Sequence, residues 1–379
     1  MQNRELFKCL KVVELASVLA GPSVGQFFAE LGSEVIKVEN SNTGGDVTRG
    51  WYTTHESGEK LSAYFCSVNW GKKSIDLDLN NQVDREIVHK LVAESDIVIA
   101  SYKLGDDAKL GVDYETLKSI NERIIYGQIS GYGSGNPKVG YDAVIQAESG
   151  FMDLNGEKGG SPLKMPVALI DVLAGHQLKE GILVALLERM QTGKGQFIEV
   201  SLIQTALSSL ANQAANWLYA GNVPVRQGSL HPNIAPYGET FETQDKKLIL
   251  LAIGSDAQFK KLCKLLVIEE IATQAEFANN KARVKNRTRL KAFLKTQFEK
   301  HQSDDLMSKF SLNNIPAGLI LNVAEAFDMK EAKQLLMQAA GYVGVRTYIA
   351  EGKLNTNKDL SPPPQLGQHK EEILAALKL

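Results

Sequence analysis

Short apolar runs alternate with longer stretches of helical periodicity through the first half of the chain, the pattern of strand–helix units laid on a parallel sheet. Lys11–Ala16 (KVVELA) predicts a buried strand. Gly21-Pro22 then opens a helix, with proline tolerated in its first turn, that ends near Gly32. Glu34–Glu39 (EVIKVE) is the next strand, and a helix over 82–93 leads into Asp96–Ala100 (DIVIA). A helix near 113–121 precedes a strand within Arg123–Ser130. VALI (Val167–Ile170) reads as a strand that meets a long helix over about 171–190, whose apolar positions Leu173, Ile182, Ala185 and Leu186 suit burial. A turn at Gln191–Gly195, a strand at Gln196–Val200 and one helix over roughly 202–220 follow.

The segment Gly221–Tyr237 is broken by Pro224, Gly228, Pro232 and Pro236 and reads as a linker. Beyond it, Lys247–Gly254 (KLILLAIG) and amphipathic helices between 257 and 309 form a smaller unit, ended by a second break at Asn314–Gly318. Within it the Lys- and Arg-rich stretch 281–295 reads as a solvated helix face. The tail around Ser361–His369 is extended and precedes a short C-terminal helix.

At about 150 residues per domain, 379 residues suggest two to three domains. The 42 Lys and Arg nearly balance 44 Asp and Glu, for a net charge of −2, so no strong field draws the chain to nucleic acid or an anionic membrane. Cys9, Cys66 and Cys263 are far apart and form no CxxC, which fits a reducing, cytoplasmic setting. The N-terminus is polar, without a signal peptide's apolar stretch, and no run reaches the roughly eighteen apolar residues of a membrane span. The six histidines form no HxxxH pair, and GxSxG, GxGxxG and GxxxxGK[ST] are all missing. Metal, hydrolase, ordinary nucleotide-cofactor and P-loop chemistry are therefore disfavoured.

A collinear set of strings stands out: SVLAGP (Ser17–Pro22), EVIKVE, GGDVTRGW (Gly44–Trp51), GKKSIDLDL (Gly71–Leu79), ISGYG (Ile129–Gly133) and GYDAVIQAESG (Gly140–Gly150). ALIDVLAGHQLKEGILVALLER (Ala168–Arg189), TGKGQFIEVSL (Thr192–Leu202), HPNIAPY (His231–Tyr237), ARVKNRTRL (Ala282–Leu290) and PPPQLGQH (Pro362–His369) continue it. Together they resemble the class III coenzyme A transferases, the CaiB/BaiF family. The resemblance implies an α/β fold with a Rossmann-like parallel-sheet large domain, a smaller α+β domain and an interlaced homodimer. The large, CoA-binding domain would be discontinuous, 1–220 with 330–379, around a small domain at 221–329. The implied reaction moves CoA from a donor thioester to a small organic acid, and the HPNIAPY and DAQF (Asp256–Phe259) strings resemble members that act on dicarboxylates. CoA thioester is then a substrate, and no cofactor is permanently bound.

Residue by residue, the resemblance places the catalytic aspartate at Asp171, where it would attack the thioester. Helix-terminal N–H groups would favour its charged form, and a plain helix-capping role is compatible with this one. Tyr141 and Asp142 of the GYD string would lie beside it, and Arg49 and Trp51 would line the cleft. Val18, Leu19, Ala20, Lys72, Lys73 and Lys109 match positions that contact CoA. Where relatives usually carry an arginine, this chain has Asn40, and ASYKLG (Ala100–Gly105) replaces an ENFRPG-like string, with Tyr102 and Lys103 as substitutes. Related racemases of the same fold look to use a histidine where Tyr141 stands; tyrosine, with a pKa near 10, is a poor base at neutral pH, which favours transferase over isomerase. The departures also leave open a CoA-binding relative without activity.

Overall fold

A computed structural model describes residues 7–350 and 359–379. The chain divides into two compact units, one of Met1–Met152, Lys164–Val223 and Gln334–Leu379, the other of Asp153–Leu163 and Pro224–Lys333. The first is built on six parallel strands: β1 (Lys11–Leu15), β2 (Glu34–Asn40), β3 (Lys72–Leu77), β4 (Ile97–Ala100), β5 (Ile125–Ser130) and β6 (Phe197–Ser201). Their order is β3-β2-β1-β4-β5-β6, so the chain runs outward from β1 in one direction, then crosses back to β4 and runs the other way. Beside β1, Val12 is in register with Val35 on one side and Ile97 on the other.

Alternate residues of each strand enter different cores, and this accounts for the near-continuous apolar runs. Val12, Ile97, Ile99 and Ile125 pack with helices α1 (Ala20–Glu30) and α4 (Leu169–Thr192) on one face, where α3 (Asp142–Glu148) also adds Ile145. Val13, Val98, Ala100 and Tyr126 pack with α2 (Gln82–Ala93) and α5 (Lys370–Ala376) on the other. All four residues of β4 are fully buried; full burial of one such aliphatic side chain contributes about 1.5–3 kcal/mol.

Three local features depart from the sequence pattern. Strand β3 carries Lys72, Lys73 and Asp76 and no continuous apolar run; it buries Ile75 and Leu77 together with Lys72, which is paired with Glu14 at 2.7 Å. VALI is no strand: the helix begins at Leu169, and the Ile170 N–H is taken by the Asp142 carboxylate at 2.8 Å, so it is unavailable to a ladder. The single helix expected over 202–220 is two, Leu202–Ser209 and Ala211–Leu218, broken where Ala211 takes φ +47° without a glycine or proline to mark it.

A hairpin, β10 (Leu336–Ala339) with β11 (Tyr342–Val345), adds to the first unit. Gly344 lies so close to the buried Trp70 indole that a Cβ there would collide with it. The second unit holds an antiparallel sheet of β7 (Tyr237–Glu242), β8 (Leu248–Ala252) and β9 (Ala317–Leu319). Helices between 256 and 312 cover it, with Phe241 stacked on Phe298 at 4.6 Å. Part of the basic stretch 281–295 is interior rather than solvated. Arg283 is fully buried, pairs with Asp256 at 2.7 Å and donates Nε to the Ala235 carbonyl at 2.8 Å. Arg287 holds the His231 carbonyl at 2.7 Å. The HPNIAPY segment is thus pinned by the ARVKNRTRL helices.

Candidate active site

A cleft of about 690 Å³ opens along the carboxyl ends of the parallel strands, and every residue lining it belongs to the first unit. Its walls are Ser17–Gly21 after β1, Ser101–Gly105 after β4, Gly131–Gly140 after β5, and Phe197, Glu199 and Leu202 around β6. Strand order reverses between β1 and β4, and the crevice outside such a reversal is where ligands bind in open α/β sheets.

Asp171 enters the cleft as the third residue of α4. The capping position is Ala168, which offers no side-chain bond, so the aspartate is not a cap and its carboxylate is spent on no helix N–H. Burial, with the nearby Asp142 carboxylate adding to it, pushes Asp171 up to about 7. This reverses the expectation that helix-terminal N–H groups would hold it low: desolvation and a like charge outweigh the helix end.

Asp142 is buried at the first position of α3 and ties the neighbourhood together. Its Oδ1 accepts from Ile170 N at 2.8 Å and its Oδ2 from Gln146 Nε2 at 2.7 Å, while Gln146 Oε1 accepts from Met165 N at 2.9 Å. The approach to α4 is thereby tied to α3 through hydrogen bonds at Ile170 and Met165, just before Asp171. Tyr141 is 63% exposed in the cleft. Trp51 is also a lining residue and meets Tyr64 edge-to-face at 5.0 Å. Burial raises the Tyr64 hydroxyl pKa, and the charges of Asp171, Asp142 and Asp46 add to the shift.

The far wall is a glycine-bearing loop held by Glu199. That carboxylate accepts from Ser130 Oγ at 2.7 Å and from Ser134 N at 3.0 Å, and also meets the Ser134 hydroxyl. Gly131 and Gly140 pass so closely that a Cβ on either would strike the other's backbone. Among the described residues, no group of three or more His, Cys, Asp or Glu is placed to hold a metal ion.

The profile of CoA-transferase family III matches residues 8–370. The chain belongs to that family. It is 40% identical to the succinate–glutarate CoA-transferase of Agrobacterium fabrum over 97% of this chain and 95% of that protein. It is 34% identical to the acetyl-CoA:oxalate CoA-transferase of Acetobacter aceti over 88% and 86%. A crystal structure of a CaiB/BaiF family protein from Brucella suis superposes with a TM-score of 0.89 at 42% identity, covering 99% of this chain and all of that one. The protein is an acyl-CoA:carboxylate CoA-transferase.

Of the residues marked in the sequence, this family III transferase brings Asp171, Tyr141, Asp142, Trp51, Val18, Leu19, Ala20, Tyr102 and Lys103 to one cleft. Four others lie elsewhere. Lys72 is fully buried, its Nζ shared among Glu14, the Pro22 carbonyl at 2.9 Å and Asn69 at 2.8 Å. It cannot reach a phosphate. Lys73 pairs with Glu34 at 2.7 Å and Glu372 at 2.8 Å. Lys109 is exposed on Asp106 at 3.0 Å, outside the cleft lining. Arg49 pairs with Glu39 at 2.7 Å, donates to the Pro364 carbonyl at 3.1 Å and lies over the Phe65 ring, so it braces the tail instead of lining the cleft. Asn40 caps the turn that follows β2, accepting from Asn42 N at 2.9 Å. Glu199, Gln146 and Tyr64 carried no separate sequence signal. Only the alternation of QFIEV, which puts Glu199 and Phe197 on one face of β6, could have marked the first of them.

Proposed function

We propose that Asp171 is the nucleophile of CoA transfer to a dicarboxylic acid. An Asp171 Oδ attacks the donor thioester carbon, the C–S bond breaks, and CoA leaves as thiolate from a mixed anhydride. The thiolate attacks the Asp171 carbonyl carbon, releasing the donor acid and leaving an aspartyl-CoA thioester. The acceptor carboxylate displaces thiolate from that thioester to form a second anhydride. The thiolate then takes the acceptor acyl carbon, freeing Asp171. No net proton moves in this cycle. The observation that carries the reading is a half-buried carboxylate on the first turn of a 24-residue helix, in a cleft at the strand-order reversal, without a hydrogen bond that would quench it. A poorly solvated carboxylate is the better nucleophile once deprotonated.

Within the same reading, Tyr141 and Trp51 flank the acyl group, Asp142 aims Asp171, and Val18, Leu19, Ala20, Tyr102 and Lys103 contact CoA. The dicarboxylate preference is supported by the named substrates of the Agrobacterium protein and of a human succinyl-CoA:glutarate CoA-transferase, 33% identical over 99% of this chain. The enzyme works in the cytoplasm, as three free cysteines favour, with no resident cofactor and as an interlaced homodimer whose large domain is the CoA-binding one. Val184, Leu187 and Met190, spaced three apart on α4, are 63%, 63% and 83% exposed, an apolar stripe suited to a second copy. The test is acyl exchange from succinyl-CoA to a panel of acids: glutarate and similar dicarboxylates should turn over at least about tenfold faster than acetate or propionate. Equal rates across the panel would remove the dicarboxylate assignment.

A further inference from the structure

Five consecutive cleft residues, Ser17–Gly21, are held from beneath by buried charges. Val18 takes φ +73°, a left-handed conformation that a β-branched residue rarely adopts. Its amide explains why: Val18 N–H donates to both Asp46 carboxylate oxygens, at 3.3 and 3.2 Å. Asp46 is buried, accepts from Thr48 N at 3.0 Å and Oγ1 at 2.8 Å, and pairs with Lys37 at 2.9 Å. Lys37 Nζ, fully buried, also donates to the Ala16 carbonyl at 2.7 Å and to Glu14 at 2.9 Å. Glu14 in turn pairs with Lys72, which holds the Pro22 carbonyl at 2.9 Å.

The backbone is therefore gripped before, within and after the turn, at Ala16, Val18 and Pro22. The helix above makes room for the device. Gly25 of α1 lies directly over Glu14, and a Cβ there would collide with its carboxylate. Two carboxylates balance two ammonium groups, so the cluster is neutral. Such buried ion clusters are weak contributors to stability compared with apolar packing of equal volume. This one instead over-determines a strained backbone at a cleft, the circumstance in which such strain persists.

We propose that Glu14, Lys37, Asp46 and Lys72 are positioning residues that fix the 17–21 turn in its CoA-accepting shape, with the Val18–Asp46 contact decisive. This rests on the reading of the cleft as the acyl-CoA site. Preorganisation of this kind acts on binding and not on the covalent steps. Asp46→Asn should raise the acyl-CoA KM and the Kd for CoA, measured by calorimetry, about tenfold, leaving kcat and the acceptor KM within about threefold. Adding Val18→Gly to Asp46→Asn should recover part of the lost CoA affinity, because glycine takes positive φ unaided.

Should Asp46→Asn fail to fold, two single variants carry the same question. Val18→Pro, which loses the N–H and fixes φ near −65°, should weaken CoA binding at least about tenfold. Val18→Gly loses the same side-chain contact but keeps the N–H and takes positive φ unaided, so it should weaken CoA binding at least about threefold less than Val18→Pro does. CoA affinity unchanged in Asp46→Asn or in Val18→Pro would overturn the positioning role while leaving the cleft assignment intact. An equal loss in Val18→Pro and Val18→Gly would do the same. Wild-type protein that binds no CoA would overturn both.

Discussion

In the proposed mechanism Asp171 is the residue on which the chemistry turns, and its environment sets a pH signature. With its carboxyl pushed up to about 7 by burial and by Asp142, the anionic nucleophile is scarce at pH 6 and dominant at pH 8. The rate of CoA exchange should rise through this range with an apparent pKa near 7. Asp142→Asn keeps an acceptor for Ile170 N but removes the like charge, so the acid limb should move to lower pH; an unmoved limb would mean that burial alone sets it. The same shift bears on stability. The folded state keeps a proton that the unfolded chain loses near pH 4, so this group's contribution is full below that value and is lost as pH rises through about 7. Asp171→Asn should therefore be more stable than wild type by about 2 kcal/mol at pH 8, after allowance for solvent at its exposed edge, and by nothing at pH 4, as read by urea unfolding. Asp171 could be marked in the sequence because its string is long and collinear with others. Lys72 and Arg49 were misplaced for the opposite reason: a lysine's burial depends on Glu14, 58 positions away, and no local pattern reveals it.

At the scale of elements, the aim of Asp171 depends on how closely α4 crosses α1. Gly175, one turn along from Asp171, lies against Ser23, whose Oγ donates to the Ala20 carbonyl at 2.7 Å. A methyl at this crossing would meet that hydroxyl. Gly175→Ala should lower unfolding free energy by about 1–3 kcal/mol and reduce kcat as well, because the displaced α4 carries the proposed nucleophile with it. Intact activity with reduced stability would separate the crossing from the site. The βα alternation of the first half was legible in apolar runs and helix signals because a parallel sheet buried on both faces leaves such a trace. Strand β3 left only the alternation of Ile75 and Leu77, since its other face buries a lysine neutralised by a distant glutamate. The break at Ala211 was equally silent, a positive φ on alanine having no composition signal. The start of α4 was misread because VALI is apolar, whereas Val167 is exposed and the Ile170 amide is claimed by Asp142.

For the whole molecule, near-neutral charge and the missing cofactor motifs removed function classes without naming one, and only the ordered set of strings pointed to acyl-CoA chemistry. Self-association belongs to this scale. The stripe of Val184, Leu187 and Met190 should be covered in solution, so light scattering should give twice the chain mass, and Leu187→Glu should halve it. A monomeric wild type would sink the interlaced dimer. The central claim, that CoA passes through a covalent bond to Asp171, is tested most directly by trapping. The protein is mixed with an acyl-CoA donor, quenched with hydroxylamine or borohydride, and digested for mass spectrometry. The account predicts a modified Asp171 peptide in wild type and no exchange in Asp171→Ala, a loss on the order of a thousandfold or more. Exchange that persists in Asp171→Ala, or an adduct on another residue, would contradict it.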